Sequence, residues 1–552
     1  MRPSPISQTN EILVDYAPDI FSEPPCPSLR RPDMTASTVP ETDVQEQVFA
    51  FLMSLSTDPP VDRIDTHAAS VFLAGSRALK IKRAVRFAFL DYSTLAKRKA
   101  ACEAEIAVNR RFAPQIYHGV VAITRDADGS LSIDGMGTPV EYAVDMARFD
   151  ENQTIDHLAE AGAIDANLVD DIADAIAASH AKADPAATEP WIKSIPSLIA
   201  GNTTALRGAA IFRSEAVDEF DTASQSAFSR IRPLLERRGQ QGFIRQCHGD
   251  LHLGNIVLID HKPVLFDAIE FDPVMASTDV LYDLAFPAME FLHYRRDSAA
   301  NLLLNRYLTM TPDQNWDALA ALPLFMSMRA AIRAKVLHDR LVQDCADKAA
   351  VAATASAYFD LAHRLIHPPP PKLVAVGGLS GTGKSVLARG LAAAIEPQPG
   401  AVVLRSDIVR KQQFHASETD RLPPEAYRPE ATRKVYAVLA DRAGKLLSQG
   451  HSVVVDAVFA QPSERAAIRE VARTLDVQFV GLFLVADLAT RMKRVGQRKG
   501  DASDATPEIA ALQENYDLGM LDWSRIDASG APEQTLNSSR SEFRRCRRST
   551  LE

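Results

Sequence analysis

The C-terminal part of the chain alternates short apolar runs with segments of helical periodicity. Leu373–Val376 is uniformly apolar and precedes a helical pattern that begins at Val386. Further apolar runs occupy Val402–Leu404, Val453–Val455 and Gly481–Val485. Short apolar runs of this kind are typical of strands that are buried on both faces of a parallel sheet. The pattern predicts an α/β domain in which helices pack on a parallel sheet.

The middle of the chain has a different pattern. Ile256–Ile259 and Val264–Phe266 are apolar runs separated by a turn, which predicts the two strands of a short hairpin. From Asp283 to Ile366 the periodicity is helical, and apolar residues are densest in Met326–Leu337. This region is therefore expected to be mainly helical, with a hairpin before the helices.

A glycine-rich segment connects the first apolar run of the C-terminal part to its helix. It reads Gly-x-x-x-x-Gly-Lys-Ser and contains Gly378, Ser380, Gly381, Thr382, Gly383, Lys384 and Ser385. Glycines let backbone N–H groups turn inward around phosphate oxygens at a helix N-terminus, where the helix dipole favours anions. Lys384 is predicted to reach the β- and γ-phosphates of a nucleotide, and Ser385 to ligate Mg²⁺. The alternative is a glycine-rich turn that binds nothing.

A second motif, His-Gly-Asp-Leu-His-Leu-Gly-Asn, runs from His248 to Asn255, and Asp267 follows the hairpin. In phosphoryl transfer one Asp takes the proton of the acceptor hydroxyl, while an Asn and a second Asp hold the metal ions that bridge the phosphates. Asp250, Asn255 and Asp267 fit these three roles in order. The alternative for Asp250 is a carboxylate that only caps a turn.

On these motifs, residues 45–366 resemble the aminoglycoside phosphotransferase-like kinases. The resemblance implies a protein-kinase-like α+β domain of two lobes. One departure is that the glycine motif with which protein kinases cover the phosphates is reduced to Gly75, so the resemblance is to the small-molecule kinases. Asp283 is expected to anchor the catalytic loop by hydrogen bonds.

The resemblance also implies a phosphate-binding lysine in the small lobe. Val71–Lys82 resembles the strand-turn-strand that carries it, and Lys80 and Lys82 are both candidates because they lie two residues apart on one strand face. The implied glutamate partner on the following helix is Glu105, with Glu103 as the alternative.

Two arginines, Arg329 and Arg333, lie four residues apart in the helical region and share a helix face. They could bind an acidic group of the substrate. The favoured interpretation is an ion-paired stripe on the protein surface.

Residues 372–530 resemble a second group, the P-loop small-molecule kinases that include gluconate kinases, chloramphenicol phosphotransferases, zeta-type toxins and polynucleotide 5′-kinases. The strand Val402–Leu404 runs into Asp-x-x-Arg, which in such kinases places a carboxylate at the acceptor hydroxyl and an arginine near the transferring phosphate. Asp407 is then the base and Arg410 the residue that stabilises charge. The alternative for Asp407 is a helix N-cap.

The same resemblance implies roles for four further residues. Asp456 ends a buried strand at the position of the Asp that orients the Mg²⁺ shell. Arg494 and Arg498 are expected to belong to a lid that closes over the phosphates and excludes water, together with Arg491. Residues 500–505 are expected to form the mobile part of that lid.

Composition and termini limit the possible classes of protein. Of the 552 residues 46% are hydrophobic, which excludes a mainly disordered chain, and the net charge of −10 disfavours a general nucleic-acid or membrane binder. The five cysteines have no metal-ligand spacing, and no apolar run approaches a membrane span, so a cytoplasmic location is expected. Residues 1–44 are expected to be a disordered extension, 367–371 a stiff Pro-rich linker, and 531–552 a basic tail.

The sequence thus predicts a multidomain protein: a protein-kinase-like α+β domain followed by an α/β P-loop domain. The predicted function is a bifunctional ATP-dependent phosphotransferase, with ATP and Mg²⁺, in which each half phosphorylates a hydroxyl of a small-molecule acceptor. Two alternatives stay open: one half regulates the other by binding nucleotide, or the whole chain is an ATP-binding adaptor without activity. The acceptors, the choice between ATP and GTP and the oligomeric state are left open.

Overall fold

The computed structural model describes residues 41–66, 68–87, 90–311, 313–342, 347–497 and 501–548. They form two compact units. Unit 1 contains the described residues up to Tyr294 together with Leu324–Ile366, and unit 2 contains Arg295–Pro323 and the chain from His367 onward. Of the predicted extension 1–44, residues 1–40 lie outside the described part of the chain. The first helix begins at Glu41.

The described part of the chain contains the following helices: α1 (Glu41–Met53), α2 (Leu95–Asn109), α3 (Ile155–Ala161), α4 (Ala166–Lys182), α5 (Thr188–Gly208), α6 (Ser214–Gln240), α7 (Pro273–Ala276), α8 (Val280–His293), α9 (Asp297–Met310), α10 (Leu322–Val342), α11 (Lys348–Ile366), α12 (Lys384–Ala392), α13 (Ser406–Gln413), α14 (Pro429–Ser448), α15 (Pro462–Thr474), α16 (Leu488–Gly496), α17 (Pro507–Leu512) and α18 (Pro532–Arg548). The strands are β1 (Asp62–Asp65), β2 (Ala69–Ala74), β3 (Arg77–Lys82), β4 (Tyr117–Arg125), β5 (Leu131–Ile133), β6 (Thr138–Ala147), β7 (Ile244–Gln246), β8 (Ile256–Ile259), β9 (Lys262–Leu265), β10 (Ser277–Asp279), β11 (Lys372–Gly378), β12 (Val402–Arg405), β13 (Val453–Asp456), β14 (Gln478–Val485) and β15 (Ser524–Asp527).

Unit 1 combines an antiparallel sheet with a helical region. The sheet has the strand order β1-β2-β3-β6-β4-β5. Ala143 and Val144, neighbours on β6, belong to different apolar clusters, because successive side chains of a strand point to opposite faces. Phe49 of α1 packs in the first cluster and Ile106 of α2 in the second. Helix α2 therefore packs on the same face of the sheet as the hairpin β8–β9. This packing brings Glu105 of α2 close to the residues that follow the hairpin.

Unit 2 is built on a five-stranded parallel sheet. The strand order is β12-β13-β11-β14-β15, and every pairing between neighbours is parallel. The central strand β11 is buried along its whole length, as its apolar sequence predicts. Because β11 continues into the glycine-rich segment and α12, that segment lies at the carboxyl edge of the sheet. The predicted fold class, an α+β kinase-like domain followed by a P-loop α/β domain, is confirmed.

Arg295–Pro323, which the sequence assigns to the first domain as part of 45–366, belongs to unit 2. The reason is visible on α9. The Nδ2 amides of Asn301 and Asn305 donate to the carbonyl oxygen of Ala401, at 3.0 and 3.2 Å, and Asn305 Oδ1 accepts from the backbone N–H of Val403 at 2.7 Å. Strand β12 is an edge strand, so its backbone groups need partners from outside the sheet.

The segment 531–552, which the sequence predicts to be a basic tail, is instead largely helical. Helix α18 packs against the core of unit 2 through Leu536 and Phe543, and Ser539 is buried. Residues 549–552 lie outside the described part. Residues 367–371 contain neither helix nor strand. No helix in the described ranges has the length and apolar composition needed to cross a membrane.

Candidate active sites

A network of five charged side chains occupies the interior of unit 1. Lys80 Nζ lies 2.7 Å from Asp267 Oδ1 and 2.9 Å from Glu105 Oε1. Lys82 Nζ lies 2.6 Å from Glu105 Oε2 and 2.5 Å from Glu270 Oε1. Negative and positive charges therefore alternate from one side chain of the network to the next, with three carboxylates and two ammonium groups. The order is Asp267, Lys80, Glu105, Lys82, Glu270.

The secondary structure explains this arrangement. Lys80 and Lys82 alternate with Ile81 on β3, so both point to one face of the sheet. Glu105 projects from α2 onto that face and is fully buried. Asp267 follows β9 and has a φ of 61°, an unusual conformation for a residue other than glycine. Glu103, the alternative to Glu105, is half exposed and pairs with a lysine of its own helix, so it takes no part in the network.

Burial and neighbouring charges act on these groups in opposite directions. Burial by itself raises the pKa of Glu105, but the ammonium groups of Lys80 and Lys82 lower it to about 2. Burial lowers the pKa of Lys80, yet the carboxylates of Asp267 and Glu105 hold it well above the usual value. The pKa of Glu270 is raised, chiefly by burial. The network thus keeps both lysines charged.

Part of this network lines a pocket within unit 1. Its polar groups include Lys80, Lys82, Asp267 and Glu270, and its walls are mainly apolar and aromatic. The wall residues include Ile64, Ala78, Leu90, Tyr117, Met146, Phe149, Phe266 and Phe271. An apolar cavity with convergent charged groups at one place is the usual form of a small-molecule site. The structure therefore brings Lys80, Glu105 and Asp267 together, as the sequence predicts.

The candidate base Asp250 lies in the loop between β7 and β8. Its side chain is buried, and Asn255 Nδ2 donates to its backbone oxygen at 3.0 Å and to its Oδ2 at 3.4 Å. Burial raises the pKa of Asp250 to about 7, although the nearby guanidinium groups of Arg329 and Arg333 oppose the shift. A carboxylate with such a pKa can take up a proton near neutral pH.

Asp283 anchors this loop, as expected. Its Oδ1 accepts from the backbone N–H of Gly249 at 2.9 Å, and its Oδ2 lies 3.1 Å from His180 Nε2. Arg329 Nη2 donates to the carbonyl oxygen of Gly249 at 2.9 Å. His248 Nε2 lies 2.8 Å from the carbonyl oxygen of Phe266 and so links the loop to the end of the hairpin.

The favoured interpretation of Arg329 and Arg333 as a surface stripe is wrong. Both are buried, and they support the segment His248–Asn255 from α10, Arg329 directly and Arg333 through Glu290. The Arg329 guanidinium lies 4.0 Å from the ring centroid of Tyr282, and Arg333 Nε lies 3.1 Å from Glu290 Oε1. The other oxygen of Glu290 accepts from the backbone N–H of Leu253 in the loop. The dense apolar composition around the two arginines was the signal that their helix is buried on all sides.

In unit 2 the glycine-rich segment has the backbone form of a phosphate-binding loop. Gly381 and Gly383 have φ values of 86° and 92°, which other residues rarely adopt. A Cβ at Gly381 would come within 2.5 Å of the carbonyl oxygen of Arg491, so a larger residue would clash with backbone there. Lys384 Nζ donates to the carbonyl oxygen of Leu379 at 3.3 Å, across the loop. Gly378, Ser380 and Thr382 complete the same loop.

The two residues predicted to hold Mg²⁺ in unit 2 are in contact. Ser385 Oγ donates to Asp456 Oδ2 at 2.6 Å. A hydroxyl and a carboxylate oxygen at the end of a buried strand suit a hard divalent cation, so these residues fit the ion. Asp407 lies nearby, and its pKa is raised by burial and by the charge of Asp456. Helix α13 begins at Ser406, so Asp407 lies in its first turn and is not the N-cap residue.

The predicted arginines of unit 2 are bound to the protein itself. Arg410 Nη1 donates to the carbonyl oxygen of Ala426 and to Thr432 Oγ1. Arg494 donates to the carbonyl oxygens of Ala528 and Gly530 at 2.6 and 2.7 Å. Arg498 lies outside the described residues.

Arg491, the third arginine of the expected lid, contacts the glycine-rich loop. It is buried, and its Nε donates to the carbonyl oxygen of Ser380 at 3.2 Å, while Nη1 lies 2.6 Å from a carboxylate oxygen of Glu514. Sequence reasoning missed three further residues of the two sites, Glu270, Glu290 and Arg405. The positions of these residues in the sequence carry no motif.

Residues 373–516 match the family described as AAA domain. A choline/ethanolamine kinase family protein from Mesorhizobium loti is 13% identical over 58% of this chain and 99% of its own, with a TM-score of 0.33. A gluconokinase from Sinorhizobium meliloti 1021 is 20% identical over 32% of this chain and 93% of its own, with a TM-score of 0.24. The two resemblances stated from the sequence, one for each half, are confirmed.

One relative aligns with most of this chain, including residues of both units. The uncharacterized protein Rv2004c of Mycobacterium tuberculosis (strain ATCC 25618 / H37Rv) is 30% identical over 502 residues, which are 87% of this chain and 95% of that protein. An alignment of this extent includes the segment His248–Asn255 of unit 1, the glycine-rich loop of unit 2 and the residues between them. The chain therefore belongs to the same family as the mycobacterial protein Rv2004c.

Proposed function

We propose that this protein is a bifunctional ATP-dependent phosphotransferase in which each unit transfers the γ-phosphate of ATP to a hydroxyl group of a small-molecule acceptor. The proposal rests on one observation: the same set of residue types lies together in both units. In each unit a carboxylate with a raised pKa, Asp250 or Asp407, lies near oxygen ligands suited to Mg²⁺ and a lysine suited to phosphates.

In unit 1, Asp250 is the base that takes the proton of the acceptor hydroxyl. Its raised pKa suits this role near neutral pH, because a general base works best when its pKa is close to the pH of the reaction. Lys80 binds the phosphates and is kept in place by Glu105. Its contact with Asp267 favours it over Lys82, whose second partner is Glu270.

In unit 2, the loop Gly378–Lys384 surrounds the phosphates and Asp407 accepts the proton. Arg410 supports Asp407 by holding α13 against the residues that follow it, through its hydrogen bonds to Ala426 and Thr432. Arg494 and Arg498 remain candidates for nucleotide contacts. Asn255 and Asp267 in unit 1, and Ser385 and Asp456 in unit 2, would hold Mg²⁺. The bound ion would neutralise negative charge on the phosphates during transfer.

The test is transfer of labelled γ-phosphate from ATP with Mg²⁺ into a pool of small metabolites. The unaltered protein is compared with Asp250→Asn and Lys384→Ala. Matched controls are Asp218→Asn in unit 1 and Arg469→Ala in unit 2, which alter exposed ion pairs far along the chain from both motifs. Two labelled products are expected, one lost in each site variant and neither lost in the controls.

Other outcomes would contradict the proposal in distinct ways. If both site variants remove the same single product, one unit regulates the other instead of acting on its own acceptor. If labelling is the same in all five proteins, neither site transfers phosphate.

A further inference from the structure

Arg405 is a cation at the phosphate edge of the unit 2 sheet. It is the last residue of β12 and stands in register with Asp456, the last residue of β13. The next strand, β11, leads into the glycine-rich loop. Because the carboxyl ends of parallel strands share one edge, Arg405, Asp456 and the loop meet at the same place.

The contacts of Arg405 direct it towards the phosphates. Its Nε lies 3.5 Å from Asp456 Oδ2, the oxygen that accepts the hydrogen bond of Ser385. Its Nη2 donates to Asp501 Oδ1 at 2.7 Å, which fixes the plane of the guanidinium. The Nε–H is shielded from solvent and makes no hydrogen bond to any residue within the described ranges. One side of the group is therefore held by Asp501, and a donor on it faces the pair that would hold Mg²⁺.

Arg410, three residues after Asp407, is differently placed. Its Nη1 binds Ala426 and Thr432, and its guanidinium lies 5.0 Å from the ring centroid of Tyr427. These partners all follow α13 in the chain: Ala426 and Tyr427 precede α14, and Thr432 lies in its first turn. Of the two arginines that flank Asp407, Arg405 is thus the one beside the predicted Mg²⁺ ligands.

We propose that Arg405 is a catalytic residue of unit 2 that binds the γ-phosphoryl group during transfer; the proposal rests on the proposed function of this unit. In the transfer, the acceptor oxygen bonds to Pγ and the bond between Pγ and the bridging oxygen breaks. The electron pair of that bond stays on ADP, and the proton of the acceptor goes to Asp407. Arg405 donates to a non-bridging oxygen of Pγ, where a fixed guanidinium stabilises the charge of the transition state.

The test measures nucleotide binding by titration calorimetry in the full chain. All proteins carry Lys80→Ala and Asp267→Ala, so that unit 1 contributes little to binding. Affinities for ADP and for the non-hydrolysable analogue AMPPNP, each with Mg²⁺, are compared before and after Arg405→Ala. Arg469→Ala is the matched control, since that arginine pairs with Asp522 at the surface.

A contact with the γ-phosphate predicts a selective effect. Arg405→Ala should weaken AMPPNP binding by at least tenfold and change ADP binding by no more than about twofold, with an unchanged melting temperature. Single-turnover transfer should fall by about 10³-fold, and Arg405→Lys should recover part of it. Arg469→Ala should change none of these quantities.

Three results would overturn the assignment. If Arg405→Ala weakens ADP and AMPPNP equally, or lowers the melting temperature, Arg405 supports the sheet edge and does not bind the phosphate. Equal affinities before and after the substitution would reject it as well. Lys384→Ala, made in the same Lys80→Ala and Asp267→Ala protein, tests the proposed function separately from the role of Arg405. If that variant still binds both nucleotides normally, the glycine-rich loop of unit 2 is not a nucleotide site.

Discussion

Asn305 forms strand-like hydrogen bonds with the edge strand of unit 2: its Oδ1 accepts from the N–H of Val403, and its Nδ2 donates to the carbonyl oxygen of Ala401. A helix is here connected to a sheet by one side-chain amide that satisfies both a donor and an acceptor of the backbone. Since α9 comes from a part of the chain far from β12 in sequence, unit 2 is not formed by its C-terminal residues alone.

Replacing Asn305 should therefore destabilise the edge of the sheet. Asn305→Ala leaves the partly buried N–H of Val403 without its acceptor, and the loss of such a hydrogen bond costs about 1 kcal/mol. Hydrogen exchange measured by mass spectrometry should be faster at β12 and unchanged at the central strand β11. Asn305→Asp keeps the acceptor oxygen and should retain most of the protection at Val403. Equal exchange in the parent and Asn305→Ala would show that the edge does not depend on this amide.

The same argument predicts how fragments behave. A fragment that starts at Lys372 contains the whole sheet of unit 2 but lacks α9 and the asparagines that bind its edge. Exposed edge strands promote association between chains. We expect this fragment to aggregate or to unfold at a lower temperature than the full chain, as measured by light scattering and calorimetry. A soluble fragment with the melting temperature of unit 2 in the full chain would contradict this role of α9.

How much the sequence reveals depends on the distance along the chain between interacting residues. The glycine-rich loop and the segment from His248 to Asn255 were predicted because their chemistry lies within eight consecutive residues. Asp267 was found because a hairpin brings it back to the loop. These local features also predicted the parallel sheet and the kinase-like fold.

The rest depends on contacts between distant segments. Glu270 belongs to the site only because Lys82, on a strand far away in sequence, binds it. Arg333 looks like a surface residue in the sequence, and its buried partner Glu290 lies on another helix. The choice between two lysines likewise needed the position of Asp267. Spacing along the chain carries no information on such pairs.

The buried pair Arg333 and Glu290 should contribute strongly to the stability of unit 1. Arg333→Met removes the cation and leaves a buried carboxylate, and breaking such a pair by removing one partner costs about 3–5 kcal/mol. Arg207→Ala is the comparison, because Arg207 and Asp218 form an exposed pair worth less than about 1 kcal/mol. Urea unfolding should separate the two variants clearly. Similar losses in both would mean that the Arg333 pair is accessible to water.

Lys80 and Lys82 should differ in what their loss impairs. Lys80 contacts Asp267, so Lys80→Met should reduce labelled phosphate transfer by unit 1 by about 10²-fold or more. It should lower the melting temperature less than Lys82→Met does, because Lys80 and Asp267 are more exposed than Lys82 and Glu270. Lys82 is nearly inaccessible and compensates Glu105 and Glu270, so Lys82→Met should mainly lower the melting temperature. Parallel measurement of transfer and thermal unfolding in both variants decides between them. A reversed pattern would give the phosphate-binding role to Lys82.

His293 should make unit 1 less stable in mild acid. Its ring is stacked on Tyr358, with centroids 3.7 Å apart, and burial, helped by the positive charge of Arg333, lowers its pKa from 6.5 to about 4. The folded state thus keeps His293 neutral down to about pH 4, while the unfolded chain binds a proton below pH 6.5. Because the unfolded state binds more protons in this range, stability falls as the pH falls from 6.5 to 4.

The size of this effect can be isolated with one variant. Between pH 8 and pH 5, His293→Gln should lose about 2 kcal/mol less stability than the parent, since glutamine does not titrate. Urea unfolding can be followed by the fluorescence of Trp191, which is buried in unit 1, after Trp316→Phe and Trp523→Phe remove the other two tryptophans. His363→Gln serves as the control, because His363 is partly exposed and should leave the pH dependence nearly as in the parent. Identical acid sensitivity in the parent and His293→Gln would show that the stacked ring is protonated without loss of the fold.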